Sequence, residues 1–104
     1  LQGLTVKRTI RLVQNHHTWM PNYKTFHAKP NTHFALLRAM EQAHLQRGFA
    51  EIAQHLTTFP DGTIALGRSF EKIPAGIKGA NTYGICIEHV GNFDNGKDQM
   101  SAAH

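Results

Sequence analysis

Cysteine is nearly absent from this 104-residue chain: Cys86 is the only one, so no internal disulfide can form. Long apolar runs are absent too, and none approaches the roughly 20 residues that a membrane-spanning helix needs. No signal peptide, internal repeat or low-complexity tract is visible. Charged residues make up 17% and apolar residues 40%, which excludes a disordered chain and is typical of one small globular domain over residues 1–104.

Acidic residues are fewer than basic ones, which gives a net charge of +4 and a pI of about 9.6. This balance favours an anionic partner such as nucleic acid, an anionic membrane or a cell-wall polymer. The basic residues form no run, and the densest group is Lys7, Arg8 and Arg11 in a strand-like stretch. Without a basic helix or an aromatic-studded sheet, a nucleic-acid-binding domain is the least favoured hypothesis.

The order of patterns along the chain predicts an α/β fold with a mixed sheet. Strands are predicted over residues 8–16, 51–59, 63–67 and 84–90, with a turn at residues 60–62 and a loop over 73–81. A helix is predicted from Asn31 or Thr32 to about Arg47, with Gly48 as its stop and Phe34, Leu37, Met40 and His44 on its core face. Residues 97–104 are predicted to begin a second helix.

Glu88 is a functional candidate on physical grounds. Alternation in its strand places Cys86, Glu88 and Val90 on one face and Ile85, Ile87 and His89 on the other. A carboxylate between apolar neighbours is costly to bury without a partner. The alternative is a salt bridge at the strand end. Eight histidines raise the expectation of a metal site without locating it.

Three stretches together resemble zinc-dependent N-acetylmuramoyl-L-alanine amidases, the family of the phage amidase lysozymes and the peptidoglycan recognition proteins. The first is Asn-His-His-Thr at residues 15–18, after a strand. The second runs over residues 44–68, with His44, Gly48, Phe49, Asp61, Gly62, Gly67 and Arg68 at the matching positions. The third is GICIEHVG at residues 84–91. Their order and spacing make the resemblance specific.

The resemblance implies a mixed central sheet flanked by helices and a bacterial or phage hydrolase of cell-wall peptidoglycan. His16 matches a zinc ligand, and Glu88 matches the carboxylate that serves as general base. His55 is a second catalytic candidate, which either lines the cleft or orients a neighbour. Three residues are expected to contact substrate: His17, Gln54 and Asn81. The implied cofactor is Zn²⁺, which lowers the pKa of a bound water. No membrane insertion is expected.

Several positions depart from the family pattern. Gln54 stands where many members carry a catalytic tyrosine, and Pro74 replaces a frequent histidine. The family takes its other zinc ligands from a later segment, so we expect this chain to be a partial domain that begins without an initiator methionine. Location is expected to be extracellular or in the cell wall, or cytoplasmic until lysis for a phage lysin. An incomplete fold also predicts self-association through an uncovered edge.

Structural alternatives stay open beside these roles. His16 could bond to the backbone, His44 could be a satisfied core histidine, and His17 could orient its loop. We expect the remaining histidines, His27, His33, His89 and His104, to be surface or packing residues. Cys86 is expected to be a buried apolar residue, with a makeshift site of His16, Cys86 and Glu88 as the alternative. For the whole chain, the alternative to an amidase is a non-catalytic module of the same fold that binds muropeptide.

Overall fold

A four-stranded mixed sheet and one helix form the part of the chain that the computed structural model describes, residues 6–18, 23, 26, 32–77, 79–94 and 97–104. The elements in chain order are β1 (Leu12–His17), α1 (Thr32–Gln46), β2 (Leu56–Thr58), β3 (Ile64–Leu66) and β4 (Gly84–His89). The strand order in the sheet is β1-β4-β2-β3. Strand β4 runs parallel to both β1 and β2, while β3 is antiparallel to β2. The predicted α/β fold with a mixed sheet is therefore confirmed.

Two glycines adopt the left-handed backbone conformation at positions where the sequence predicts a helix end and a turn. Gly48 follows α1 with φ of 91°, and Gly62 lies in the turn between β2 and β3 with φ of 92°. Glycine takes this left-handed conformation without steric cost. In the turn, the Asp61 carboxylate accepts a hydrogen bond from the Thr63 amide at 3.0 Å. The hairpin is thus fixed by local chemistry that the sequence makes visible.

The predicted strand over residues 51–59 is wrong at its start, because β2 begins only at Leu56. Residues 51–53 form no ladder with a strand, and side chains take part of their backbone bonding, while the His55 amide already donates to the Cys86 carbonyl of β4 at 2.9 Å. The Ala53 amide donates to His44 Nδ1 at 3.0 Å, and the Ile52 carbonyl accepts from Arg68 Nε at 3.0 Å. Strand β1 is also shorter than predicted at its start, which falls at Leu12.

The predicted helix over residues 97–104 does not form. Two of its amides find partners outside the segment. The Asp98 amide donates to the Asn92 carbonyl at 2.8 Å, and the Ser101 amide donates to the Tyr23 hydroxyl at 3.1 Å. These tertiary contacts replace the i to i−4 bonds that a helix would need.

Helix α1 packs differently from the prediction, because none of its residues is buried and Phe34 is 63% exposed. The helix contacts the segment before β2: His44 accepts from Ala53, and Gln54 Nε2 donates to Met40 Sδ at 3.4 Å. The apolar core lies instead around Phe59, Val90, Cys86 and Leu56. Within the described part of the chain, no helix is both long and apolar enough to cross a membrane.

Candidate active site

His16 and Glu88 are register partners at the carboxyl ends of two parallel strands, β1 and β4. Thr57 of β2 is the next partner across from Glu88. Side chains of register partners lie on the same face of a sheet. The two residues that the resemblance selected for zinc and for proton transfer are therefore neighbours on one face. Asn15, His17 and His89 belong to the opposite face.

The His16 imidazole has a buried nitrogen, Nε2, without a hydrogen-bond partner in the described structure. Gly76 keeps the space beside it open: a Cβ on Gly76 would lie 3.1 Å from His16 Nε2 and 3.0 Å from Cys86 Sγ. Buried polar atoms without partners are rare in folded proteins and call for an explanation. An imidazole nitrogen aimed at a space kept free by glycine fits one position in a metal's coordination sphere.

The Glu88 carboxylate also has no ion pair or hydrogen bond among the described residues, so the predicted alternative of a strand-end salt bridge is not found there. Partial burial raises the pKa of Glu88 from its ordinary 4.5 to about 7. Burial disfavours the charged form when no cation compensates. A carboxylate with a pKa near neutrality can both accept and return a proton at neutral pH.

A cavity of about 150 Å³ joins the two side chains, and a second of about 390 Å³ extends along α1. Both are lined by His44, Arg47, Gln54 and Glu88. Sequence reasoning did not select Arg47, whose guanidinium lies 5.3 Å from the centre of the Phe49 ring. The sequence signal that could have identified Arg47 is its position directly before Gly48 and Phe49 at the end of the helix. Together the cavities form a groove whose lining contains both the Arg47 guanidinium and the Glu88 carboxylate.

Cys86 is buried, as expected, and burial raises the pKa of its thiol to about 11. Metals bind the thiolate, so a thiol that stays protonated is a poor ligand. The described residues contain no group of three histidine, cysteine or acidic side chains arranged to hold a metal. The makeshift site of His16, Cys86 and Glu88 is therefore not supported. The resemblance offers His16 as a zinc ligand, and the described residues contain no complete ligand set around it.

His55 is fully buried, and backbone groups occupy both of its ring nitrogens. Nε2 bonds to the Lys72 carbonyl at 2.8 Å, and Nδ1 accepts from the Cys86 amide at 3.0 Å. The ring also stacks on Phe70, with centroids 5.2 Å apart. Burial lowers the pKa of His55, which keeps it neutral. Of the two predicted roles for His55, this environment favours the one that orients neighbouring residues, because the ring connects β4 to the loop that leads to Gly76.

The three residues expected to contact substrate lie in different surroundings. Gln54 lines the groove, and its Nε2 donates to Thr57 Oγ1 at 3.0 Å. Asn81 Oδ1 accepts from the amides of Gly76 and Ile77 at 3.0 and 3.1 Å, so it shapes the loop beside His16.

His17 lies on the other face, where its Nδ1 accepts from the Phe93 amide at 2.9 Å. This contact agrees with the structural alternative for His17, in which its side chain orients the adjacent loop. Of the other histidines, His27 lies outside the described residues. His33 Nε2 pairs with Asp61 Oδ2 at 2.8 Å and therefore packs α1 against the hairpin.

Solved structures share this fold. The amidase LysC from Clostridium intestinale is 23% identical with a TM-score of 0.72, over 92% of this chain and 55% of that one. Bumblebee PGRP-SA is 21% identical with a TM-score of 0.81, over 94% and 56%. A point mutant of Drosophila PGRP-LB in complex with tracheal cytotoxin is 23% identical with a TM-score of 0.80, over 96% and 57%. The chain thus spans little more than half of these relatives.

No curated protein matches the chain. The family model described as N-acetylmuramoyl-L-alanine amidase matches residues 6–104, which is nearly the whole sequence. The mixed sheet, with His16 and Glu88 side by side at its carboxyl edge, agrees with that match. The chain belongs to the N-acetylmuramoyl-L-alanine amidase family.

Proposed function

We propose that the protein hydrolyses the amide bond between N-acetylmuramic acid and L-alanine in peptidoglycan, with Zn²⁺ as cofactor. One observation carries the proposal: His16 Nε2 and the Glu88 carboxylate are register neighbours on one face, and neither has a partner in the described structure. Purely structural polar groups at such positions would be paired, because leaving them unpaired costs stability. A ligand and a reaction would explain both.

In this proposal, His16 would hold zinc through Nε2, together with ligands other than the described residues. The metal would supply polarisation of the amide carbonyl and a lowered pKa of a water. Glu88 accepts the proton of the attacking water and then delivers it to the leaving nitrogen of L-alanine. Its partly buried carboxylate, with a pKa of about 7, is suited to both transfers.

The groove along α1 is the proposed place for the peptide stem. Arg47 offers a cation to the stem's carboxylates, and the nearly buried Gln54, held by Thr57 and Met40, forms part of the groove lining. His55 and Asn81 act from behind this surface, because they hold β4 and the Gly76 loop in place. We propose the cell wall as the site of action.

A non-catalytic muropeptide-binding module is the second candidate. Two observations favour it: Gln54 stands at a frequent tyrosine position, and the described residues supply one zinc ligand. A groove without a complete metal site could still hold the peptide stem. Binding without turnover would identify this function.

The first experiment measures zinc per chain, muropeptide affinity and release of peptides with a free L-alanine amino group. It compares the wild type with His16→Ala and Glu88→Gln, with His33→Ala as a histidine control away from the groove. We expect zinc to be lost only in His16→Ala, and Glu88→Gln to cleave about 100 to 10,000 times more slowly with unchanged affinity.

Saturable binding without cleavage or zinc in the wild type would favour the binding module. Cleavage that persists in both site variants would contradict the proposed roles of His16 and Glu88. Neither binding nor cleavage would contradict both functions.

A further inference from the structure

Residues 97–104, here named the strap, are fastened to the sheet through side chains on the face opposite Glu88. Strap residue Ser101 donates its hydroxyl to the Pro60 carbonyl at 2.9 Å. Strap residue Ala103 lies against Gly62 of the hairpin turn, where an added Cβ would come 2.8 Å from the Ala103 oxygen. The last strap residue, His104, reaches Thr58 in β2. The amidase chemistry described above uses none of these contacts.

One continuous series of hydrogen bonds connects the strap with β2, β4 and β1. The Ser101 amide is 3.1 Å from the Tyr23 hydroxyl, which is 2.5 Å from His104 Nδ1. His104 Nε2 is 2.7 Å from Thr58 Oγ1, which is 2.6 Å from His89 Nδ1. The series ends where His89 Nε2 meets Asn15 Oδ1 at 3.0 Å.

With both imidazoles neutral, the direction of every bond in this series follows from its Asn15 end. The Asn15 oxygen can only accept, so His89 Nε2 donates and His89 Nδ1 accepts from the Thr58 hydroxyl. The Thr58 oxygen then accepts from His104 Nε2, and His104 Nδ1 accepts from Tyr23. In this neutral arrangement every hydrogen is used once, and burial, which lowers the pKa of both His89 and His104, favours it. A proton added to His104 Nδ1 would oppose the Tyr23 hydroxyl hydrogen.

We propose that the strap is a pH-operated closure, which lies against the sheet while His104 is neutral and detaches when His104 is protonated. Detachment removes the clash with the Tyr23 hydroxyl and returns the imidazolium to water. At the other end, Asp98 Oδ2 accepts the amides of Tyr23 and Asn92 at 2.8 and 2.9 Å. Asp98 therefore stays as the hinge.

The charged surroundings of His104 are mixed. His89 faces it from β4, with ring centroids 5.9 Å apart, and Tyr23 stacks on its other side at 5.7 Å. Asp61 in the hairpin turn acts to raise the pKa of His104, but burial has the larger effect and the net shift is downward. Burial and the charge of His104 also lower the pKa of His89. His17 and Asp94 form a separate pair at 3.8 Å.

The position of the strap also determines the environment of the histidines at the carboxyl ends of β1 and β4. Strap residue Met100 lines a cavity of about 770 Å³ together with His16, His17 and His89. When the strap detaches, this wall is removed and the rear of the His16 strand is open to water. The strap thus couples the surroundings of His16 to acidity, independently of whether the groove is catalytic.

Amide hydrogen exchange tests the proposal, with protection factors corrected for the intrinsic pH dependence of exchange. The reporters are Ser101 for the strap and His55, whose amide donates to the Cys86 carbonyl at 2.9 Å, for the sheet. Between pH 7.5 and 5.5 we expect Ser101 protection to fall about tenfold relative to His55, since one proton is taken up below the ordinary histidine pKa of about 6.5.

Two variants make the result specific. His104→Gln keeps a donor and an acceptor but cannot titrate, so the relative fall should disappear. Gly62→Ala forces a Cβ against Ala103, so Ser101 should exchange fast at both pH values. Equal Ser101 protection at both pH values in the wild type would overturn the proposal, and so would an undiminished fall in His104→Gln.

Discussion

The two faces of the sheet treat their histidines in opposite ways. On one face, His16 keeps a buried nitrogen beside the Glu88 carboxylate, and neither group has a partner among the described residues. On the other face, His89 and His104 use all four ring nitrogens in hydrogen bonds. His55, on the connection between them, is equally saturated. The same residue type is therefore structural where its bonds are complete.

This difference separates candidates that sequence chemistry cannot separate. A histidine count raises the expectation of a metal site equally for all eight. Hydrogen bonds at both ring nitrogens indicate a packing role for His55, His89 and His104, whereas His16 is the described histidine with a buried nitrogen that has no described partner. The site therefore shows itself by unsatisfied polar groups, which cost stability unless a ligand or a reaction needs them.

The largest expected effect is the stability lost in His55→Ala. This variant leaves the Cys86 amide and the Lys72 carbonyl unpaired in a new cavity, so we expect a loss of about 3 to 5 kcal/mol in the free energy of unfolding. His16→Ala in metal-free protein removes no described bond of Nε2, so its loss should stay near 1 kcal/mol. Urea unfolding at pH 7.5 measures both.

For zinc affinity we expect the opposite order: His16→Ala should lose more affinity than His55→Ala, because it removes the proposed zinc ligand. His55→Asn, which keeps a donor and an acceptor, controls for misfolding in the His55 variant. Equal stability losses in His16→Ala and His55→Ala would break the distinction between unpaired and saturated histidines.

The elements that the sequence predicted well are those fixed by local chemistry. Gly48 and the turn around Asp61 and Gly62 depend on neighbouring residues, and β4 depends on a short apolar run. The register of His16 with Glu88 was reachable only through the family resemblance, since pairing between strands 72 residues apart leaves no local pattern. Helix α1 kept its bounds for the same local reasons.

Predictions failed where tertiary partners replaced local ones. Residues 97–104 have a helical pattern, but Tyr23 and Asn92 take their backbone bonds. Phe34 has helical spacing, but α1 packs on the segment before β2 through Met40 and His44, and Phe34 stays exposed. The role of Gly76 could not be inferred either, because nothing around it in sequence shows that it borders His16.

The second prediction concerns the cost of the unpaired carboxylate. The pKa of Glu88 is raised in the folded chain to about 7, so the native state loses stability as pH rises from about 4.5 through 7. Glu88→Gln cannot ionise and should be more stable than the wild type by about 1 to 2 kcal/mol at pH 8, after allowance for partial exposure. Urea midpoints of metal-free protein at pH 8 and pH 5 measure the gain.

The gain should shrink at pH 5, where Glu88 is mostly protonated in the folded wild type. Glu41→Gln on the exposed side of α1 is the matched control and should change stability by less than about 0.5 kcal/mol. A destabilised Glu88→Gln at pH 8 would mean that the carboxylate has a stabilising partner after all.

The third prediction tests the space beside His16. Gly76→Ala would place a Cβ 3.1 Å from His16 Nε2 and against Gln14 Oε1, so we expect zinc affinity to fall at least tenfold for about 1 kcal/mol of stability. Gly79→Ala is the control: its φ of 88° strains alanine, but no atom lies within 4 Å. It should lose similar stability and keep its zinc affinity. Isothermal titration with zinc separates the two variants, and equal affinities would contradict the assignment of this space.

The smallest expected effect is the pH dependence of the free energy of unfolding. The buried histidines and Glu88 change this free energy in opposite directions as pH falls. Burial lowers the pKa of His44, His55, His89 and His104 in the folded chain. Their contribution is complete above about pH 6.5 and is lost as pH falls through the lowered values, because the unfolded chain binds more protons.

Glu88 opposes this trend between pH 7 and its ordinary 4.5, since there the folded chain holds the extra proton. Wild-type stability should therefore decline gently from pH 7 to 5. Glu88→Gln should decline more steeply, by about 1 kcal/mol in total between pH 7 and 5. Parallel unfolding curves for the two proteins would show that Glu88 titrates normally, and the contrast between its environment and that of the saturated histidines would then be lost.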